Sequence, residues 1–354
     1  MTAAVADLEV ARLHGAGDIR VDREPAPKPA SGEVLLQVSA VGLCGSDLHW
    51  YEEAAIGDAR LSRPLVLGHE FAAVIVSGPR AGERVAVDPA DPCGVCAPCL
   101  AGRSNLCLAV RFAGHGTTDG ALRSRMAWPD RLCHRLPDAL PDDEAALLEP
   151  VGVALHALAL AGVPLGGRAG VYGCGPLGLV LVQLLRLAGA GQIVATDRLA
   201  HRVAAAAELG ADEAVLVGGG DRAEILASQP VDVAFEVAGD DDALEDALTA
   251  VRPGGRVVLV GIPPGDRTRF TAGLARRKEL TLMLARRMAP ADLPRAIELA
   301  QAGRLSLGPL ITERFPLARA SEAFAALATR RGLKVIVNPS AAGPAQSRVA
   351  DGRA

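Results

Sequence analysis

Four cysteines with the spacing C-x2-C-x2-C-x7-C, namely Cys93, Cys96, Cys99 and Cys107, occupy one loop that also carries proline and glycine. Four thiolates that close together can wrap a single zinc tetrahedrally and leave no position for a substrate, so the chemistry they offer is structural. The seven-residue interval and the absence of a redox-partner motif argue against an iron–sulfur cluster. Cysteine clustering of this kind in a long chain with seven cysteines points to metal rather than to a disulfide framework. Upstream lies a second set of ligand types. Cys44 stands in Gly42-Leu43-Cys44-Gly45-Ser46-Asp47 and is followed by His69-Glu70 in Leu67-Gly68-His69-Glu70. A mixture of Cys, His and carboxylate is what an open, catalytic zinc site uses. Ser46 and His49 follow Cys44 closely enough to form a hydroxyl–imidazole proton path. Asp47 is suited to hold the second nitrogen of His69. Glu149-Pro150 supplies a further carboxylate at a change of sequence texture.

A third group reads as a cofactor site. Gly173-Cys174-Gly175-Pro176-Leu177-Gly178 fits G-x-G-x-x-G after an apolar strand and at the head of an apolar helix. Gly173 permits the tight turn, Gly175 lets backbone approach a pyrophosphate, and Gly178 allows close helix–strand packing, with Pro176 and Leu177 between them. The helix N-terminus presents free N–H groups to the phosphates. Asp197 ends the next strand, where an acid accepts hydrogen bonds from the adenosine ribose. A carboxylate there repels a 2′-phosphate, which favours NAD over NADP, although Arg198 and Arg202 are cations within reach of a phosphate.

These groups must be positioned by two kinds of structure. Up to residue 150, short alternating strands such as 33–38 and 83–87 are broken by glycine and proline, the texture of an antiparallel β-rich domain. Beyond it, strands at 168–172, 192–196, 213–216, 231–235 and 256–260 alternate with helices at 177–188 and 201–209, which implies a doubly wound parallel sheet. After residue 284 a helix (293–302) and a short strand (334–337) return to the first domain, and 339–354 reads as a disordered tail. The fold class expected is therefore α/β plus β-rich.

At 354 residues with half of them apolar, the chain can bury large cores, and two domains are expected. A net charge of −4 gives no electrostatic reason to expect nucleic acid or an anionic membrane as partner. The cysteine loop itself carries only Arg103, which argues against a nucleic-acid-binding zinc ribbon. Neither an uninterrupted apolar run of spanning length nor a signal-peptide pattern is present, and a soluble, cytoplasmic protein is expected. Cys133 and Cys174 read as small packing residues, and His14, His115, His134, His156 and His201 as surface, turn or packing histidines.

Taken together, the Cys44–His49 run, Gly68-His69-Glu70, the four cysteines, Glu149-Pro150 and Gly173–Gly178 resemble the zinc-containing medium-chain dehydrogenases, and most closely their polyol branch, that of the sorbitol (L-iditol) and L-idonate 5-dehydrogenases. The resemblance covers roughly residues 5–338. It implies a GroES-like catalytic domain (1–151 and 288–338), a Rossmann domain (152–287) and a substrate cleft between them. It assigns a catalytic zinc to Cys44, His69 and a carboxylate, either Glu70 or Glu149, with a zinc-bound water bridging to the glutamate. It puts Trp50, Tyr51 and Arg287 on the substrate side, and it implies a homotetramer, with a homodimer as second choice. Arg111-Phe112-Ala113-Gly114 is closer to the idonate branch and keeps a sugar-acid substrate open. The connection 77–82 is shorter than in most relatives and reads as a trimmed surface turn. The function expected is hydride transfer from a secondary alcohol of a polyol to NAD+. Alternatives are a sugar acid, threonine, butanediol or an aminocyclitol as substrate, or a non-catalytic sensor that binds NAD and zinc.

Overall fold

Along Glu33–Gly42, Val34, Leu36, Val38 and Ala40 are buried while the residues between them are more exposed, the period of a strand with one face on a core. This strand is the spine of the first domain. The computed structural model describes residues 8–218 and 230–340, so the expected tail lies outside the described residues from 341 on. The spine pairs antiparallel with Glu70–Ile75, Arg125–Pro129 and Lys334–Asn338. Arg84–Val87 and Cys133–Arg135 extend the sheet on one side, and Ile311–Pro316 ends it on the other. Two strands from near the C-terminus thus complete a sheet begun by residue 33, and the parallel-sheet region is interposed between them. The sheet is not wholly antiparallel as expected, because Ile311–Pro316 runs parallel to Lys334–Asn338. The helix Ala320–Thr329 makes the crossover that a parallel pair needs. Leu8–Gly15, Asp18–Glu24 and Leu65–Val66 form a separate three-stranded sheet.

The second sheet is six parallel strands in the order Glu213–Leu216, Gln192–Asp197, Arg168–Tyr172, Val231–Glu236, Val251–Leu259, Thr281–Leu284. Its central strands are buried along nearly their whole length, as parallel strands covered on both faces must be. The strand order reverses between Arg168–Tyr172 and Val231–Glu236, and a doubly wound sheet opens its ligand crevice at the C-terminal ends of such a pair. The edge strand Thr281–Leu284 carried no clear signal in the sequence, and only its central residues are even partly buried.

The segment Asp142–Ala161 is apolar and long enough to cross a membrane by length and composition. In the fold it is a short helix, Asp142–Ala145, followed by the interior helix Leu148–Ala161. Leu148, Val151, Ala154, Ala157 and Ala161 are fully buried in one core with Leu179 and Val182 of the glycine-loop helix and Leu293 and Ala296 of Asp292–Gln301. That same core includes Ala40, Ala72 and Ala86 of the first sheet, so it is continuous from the β-rich domain into the parallel one.

Candidate active site

The helix Gly45–Glu53 starts at Cys44, and the carboxylate of Asp47 at its third position accepts the Cys44 backbone N–H at 3.0 Å. This capping-box geometry sets the Cys44 thiol at the N-terminus of the helix. Asp47 is fully buried and binds three groups. Besides Cys44 it accepts the Gly68 N–H at 3.2 Å and lies 3.4 Å from Nδ1 of His69. One carboxylate therefore aligns the two ligand-bearing segments. Burial opposes its charge, yet His69 and the two N–H groups hold Asp47 below the usual carboxylate range. Burial likewise opposes protonation of His69, and Asp47 overcomes it and raises the imidazole well above its ordinary pKa. With its Nδ1 proton on Asp47, His69 turns Nε2 toward Ser46, whose hydroxyl is 3.3 Å away.

Ligand atoms of Cys44, His69 and Glu70 lie within 4.8 Å of one another, and both His69 and Glu70 are buried. A sulfur, an imidazole nitrogen and a carboxylate oxygen at that spread come onto one zinc with small side-chain rotations, and they leave a position open. Glu149 stands outside this set. It is buried in the first turn of Leu148–Ala161, and burial pushes its carboxyl up to about 8, with Glu70 and Asp88 adding to the rise against the opposing pull of His69. Of the two carboxylates implied by resemblance, Glu70 is the one gathered with Cys44 and His69. Lys334, which the sequence reading missed, donates from Nζ to Oε2 of Glu70 at 2.6 Å and to the Leu43 carbonyl at 3.1 Å. Its signal was a lysine at the head of an otherwise apolar strand.

The four loop cysteines also converge, with ligand atoms within 4.8 Å. Cys96 Sγ is 3.4 Å from Cys99 Sγ and 3.9 Å from Cys107 Sγ. Zn–S bonds of ordinary length in a tetrahedron put sulfurs about 3.8 Å apart, so the set fits zinc. Backbone N–H groups draw Cys96 down to about 6 and lower Cys107, while burial and the Cys96 thiol push Cys99 up to about 12. Thiols crowded this closely can all become thiolates only around a cation.

Several expected substrate-side residues sit differently. Trp50 is 1% exposed and belongs to the core, edge-on to His115 at 5.6 Å, and Tyr51 packs on Phe324 at 5.1 Å. Trp50 is packed inside the domain and Tyr51 is partly buried against its core. His115, read from sequence as a surface or turn residue, instead joins Phe112 beside the metal ligands. The Phe112 ring is 5.4 Å from that of His69 and 6.4 Å from that of His115. Burial lowers the pKa of His115, and the nearby Arg287 lowers it further. Arg287 stands over the Phe112 ring at 5.2 Å. His49 is engaged at both nitrogens, with Glu53 Oε1 at 3.2 Å and the Ile262 carbonyl at 3.3 Å.

In the cofactor crevice, a Cβ on Gly173 (φ +111°) would meet the backbone of Ala238, and one on Gly178 would collide with the Gly173 carbonyl oxygen. At Gly175, the N-cap of Pro176–Leu187, the nearest group is the Arg202 guanidinium, 3.7 Å from where a Cβ would stand. Arg202 Nε is buried without a hydrogen-bond partner, an orphan donor beside a glycine turn, which suits an anion such as a pyrophosphate. Asp197 accepts the N–H groups of Cys174 at 2.8 Å and Leu199 at 2.9 Å and lies 3.9 Å from Arg202. Arg198 is paired with Asp240 at 2.8 Å. The Cys174 thiol is fully buried and donates to the Thr196 carbonyl, a packing role.

Residues 30–138 match the alcohol dehydrogenase GroES-like domain and 176–302 the zinc-binding dehydrogenase domain. Sorbitol dehydrogenase of Gallus gallus is 35% identical over 337 residues, covering 92% of this chain and 94% of its own. The chain belongs to the zinc-containing medium-chain dehydrogenases. Within that family it falls in the polyol branch, and it is a zinc-dependent secondary-alcohol dehydrogenase that uses a nicotinamide cofactor. Among solved members, L-idonate 5-dehydrogenase from Escherichia coli aligns with a TM-score of 0.86 at 27% identity, covering 94% of this chain and 98% of the other. A zinc-binding dehydrogenase from Sinorhizobium meliloti bound to NADP aligns with a TM-score of 0.86 at 30% identity, covering 94% and 100%.

Proposed function

We propose that this dehydrogenase oxidises a secondary hydroxyl of a polyol of the sorbitol or L-iditol type to a ketose, with NAD+ as hydride acceptor. The observation that carries the reading is the gathering of Cys44, His69 and Glu70 beside the Phe112 ring, which His115 and Arg287 also flank. Zinc held by those three ligands supplies Lewis-acid polarisation of the substrate hydroxyl, and the nicotinamide supplies the hydride acceptor. Ser46, beside Nε2 of His69, is positioned to take the hydroxyl proton. His49 would pass it to solvent once its bond to the Ile262 carbonyl opens. Glu149, with its carboxyl pushed up to about 8, is the second proton store. Arg287, over the Phe112 ring, would donate to substrate hydroxyls.

NAD rather than NADP is proposed from Asp197, an acid at the end of the strand after the glycine turn that would repel a 2′-phosphate, and from Arg198 being engaged with Asp240. The NADP-bound relative makes this a point to test directly. A sugar acid is the second reading, supported by the adjacent Arg286 and Arg287 and by the likeness to L-idonate 5-dehydrogenase. A homotetrameric, cytoplasmic enzyme is the assembly and location proposed from the family.

The test is NADH or NADPH formation at alkaline pH from sorbitol, L-iditol, xylitol, L-idonate, L-threonine and 2,3-butanediol, with and without a zinc chelator. Chelator-sensitive turnover of the polyols with NAD+ supports the proposal. Turnover of idonate alone moves it to the sugar-acid reading, and NADP+ preference overturns the role given to Asp197.

A further inference from the structure

Arg287 carries an unusual backbone. Its φ is +55°, in the left-handed region that a long side chain rarely adopts. Such a conformation persists only where the surroundings over-determine it, and it recurs at ligand clamps. The surroundings here converge on one residue of the thiolate loop. Asn105 lies in the turn Ser104–Leu106, immediately before Cys107, and is 5% exposed. Its backbone carbonyl accepts Nη1 of Arg287 at 3.3 Å. Its side-chain Nδ2 donates to the Arg286 carbonyl at 3.2 Å and to Nε2 of His156 at 3.3 Å, which uses both amide hydrogens.

The far side of the turn is held as well. With Nε2 accepting from Asn105, the His156 ring carries its proton on Nδ1, 4.0 Å from Asp292 Oδ2. That carboxylate in turn accepts the Ala289 N–H at 2.6 Å. Met288 is buried against Gly152 of the same helix as His156. A loop, a helix and a turn that are far apart in sequence therefore meet at one amide.

We infer that Asn105 is a positioning residue for substrate binding, locking the 286–289 turn so that Arg287 holds its place over Phe112 in the cleft. The thiolate loop then has a second role, since it sets the geometry of the substrate site as well as bracing its own lobe. This rests on Arg287 being a substrate-binding residue, as proposed above. An arginine that binds substrate equally in the ground and transition states changes KM and leaves kcat alone. Loss of the two side-chain hydrogen bonds should therefore raise the KM for sorbitol by about tenfold, with kcat within about twofold and NADH affinity unchanged.

The experiment compares Asn105→Ala, the bulkier Asn105→Leu that keeps the buried volume filled, Arg287→Ala, and the double variants with Arg287→Ala. If Asn105 acts through Arg287, its substitution adds almost nothing to KM once Arg287 is gone. Full additivity, or a loss of kcat with KM unchanged, overturns the inference. A second readout does not depend on the substrate. Backbone amide exchange of the segment 284–290 should speed up in both Asn105 variants and stay unchanged in Arg287→Ala outside residue 287 itself. If sorbitol and the other polyols are not turned over, the substrate reading fails, and the exchange arm still decides the coupling. Unchanged exchange at 284–290 refutes it.

Discussion

Replacing Lys334 by methionine would isolate a buried cation that faces the metal ligands. Lys334 and Glu70 are 3% and 1% exposed at the side chain and stand 2.6 Å apart. Coulomb's law at an effective dielectric constant of about 20 gives an attraction of about 6 kcal/mol at that distance. Part of this is offset by the cost of keeping both charges from water, and removing one partner of a buried pair costs about 3–5 kcal/mol because the other is left uncompensated. Methionine fills a similar volume, so the loss is electrostatic rather than a cavity effect. It also removes the donor to the Leu43 carbonyl, next to Cys44. In a domain of this size the melting temperature should fall by about 10 °C. The assay is thermal unfolding followed by circular dichroism at neutral pH, with variants and wild type all freed of metal at Cys44, His69 and Glu70, so that no zinc compensates Glu70 in place of Lys334. The Lys334→Met/Glu70→Gln double variant should recover at least half of the loss, since it removes the stranded carboxylate. A fall of less than about 2 °C in the single variant, or additive losses in the double, would refute the reasoning.

Four other perturbations address separate parts of the molecule. Gly178→Ala drives a Cβ into the Gly173 carbonyl and pushes the glycine turn off the helix, so NADH affinity by fluorescence titration should fall about 100-fold. Affinity within threefold of wild type would mean the turn tolerates the methyl. Burial pushes Glu236 up from 4.5 to about 7, although the Gly239 N–H donates to it at 2.6 Å. Between those values the folded protein keeps a proton that the unfolded chain has released, so stability falls as pH rises from 4.5 to 7 and is level above, a change of up to about 3 kcal/mol. Glu236→Gln should flatten that slope in denaturant titrations at pH 5, 6 and 8, and an unchanged slope would assign it to other groups. Cys96→Ser should lose the zinc of the thiolate loop and lower thermal stability. Cys44→Ser should lose turnover while melting as wild type does. Metal analysis with unfolding curves separates the two, and equal turnover in Cys44→Ser would overturn the site.

Much of the architecture was legible because local patterns carry it. The strands at 168–172 and 213–216 were read with their true ends, and most others to within a residue or two. Alternation and buried apolar runs depend only on the strand's own sequence and on whether sheet faces are covered. The long strand Val251–Leu259 was read short, because Arg252, Pro253 and Gly254 look like a turn when their neighbours are unknown. The edge strand Thr281–Leu284 carries little signal for a different reason, since a strand with one paired side need not bury both faces.

The sequence by itself determined the ligand types, their loops and the glycine turn, since a thiolate, an imidazole and a glycine are required by chemistry whatever surrounds them. Tertiary structure decided which members of those sets act together. Gathering Glu70 rather than Glu149 with Cys44 and His69 depends on a strand pairing between residues 42 and 70. Opposing Lys334 to Glu70 depends on a strand that returns from 264 residues away, and burying Trp50 in the core with Tyr51 partly buried against it depends on how one helix packs. Spacing along a chain constrains neighbours within a turn or a loop. Contacts across hundreds of residues are set by how sheets and helices pack, and only the folded chain contains that information.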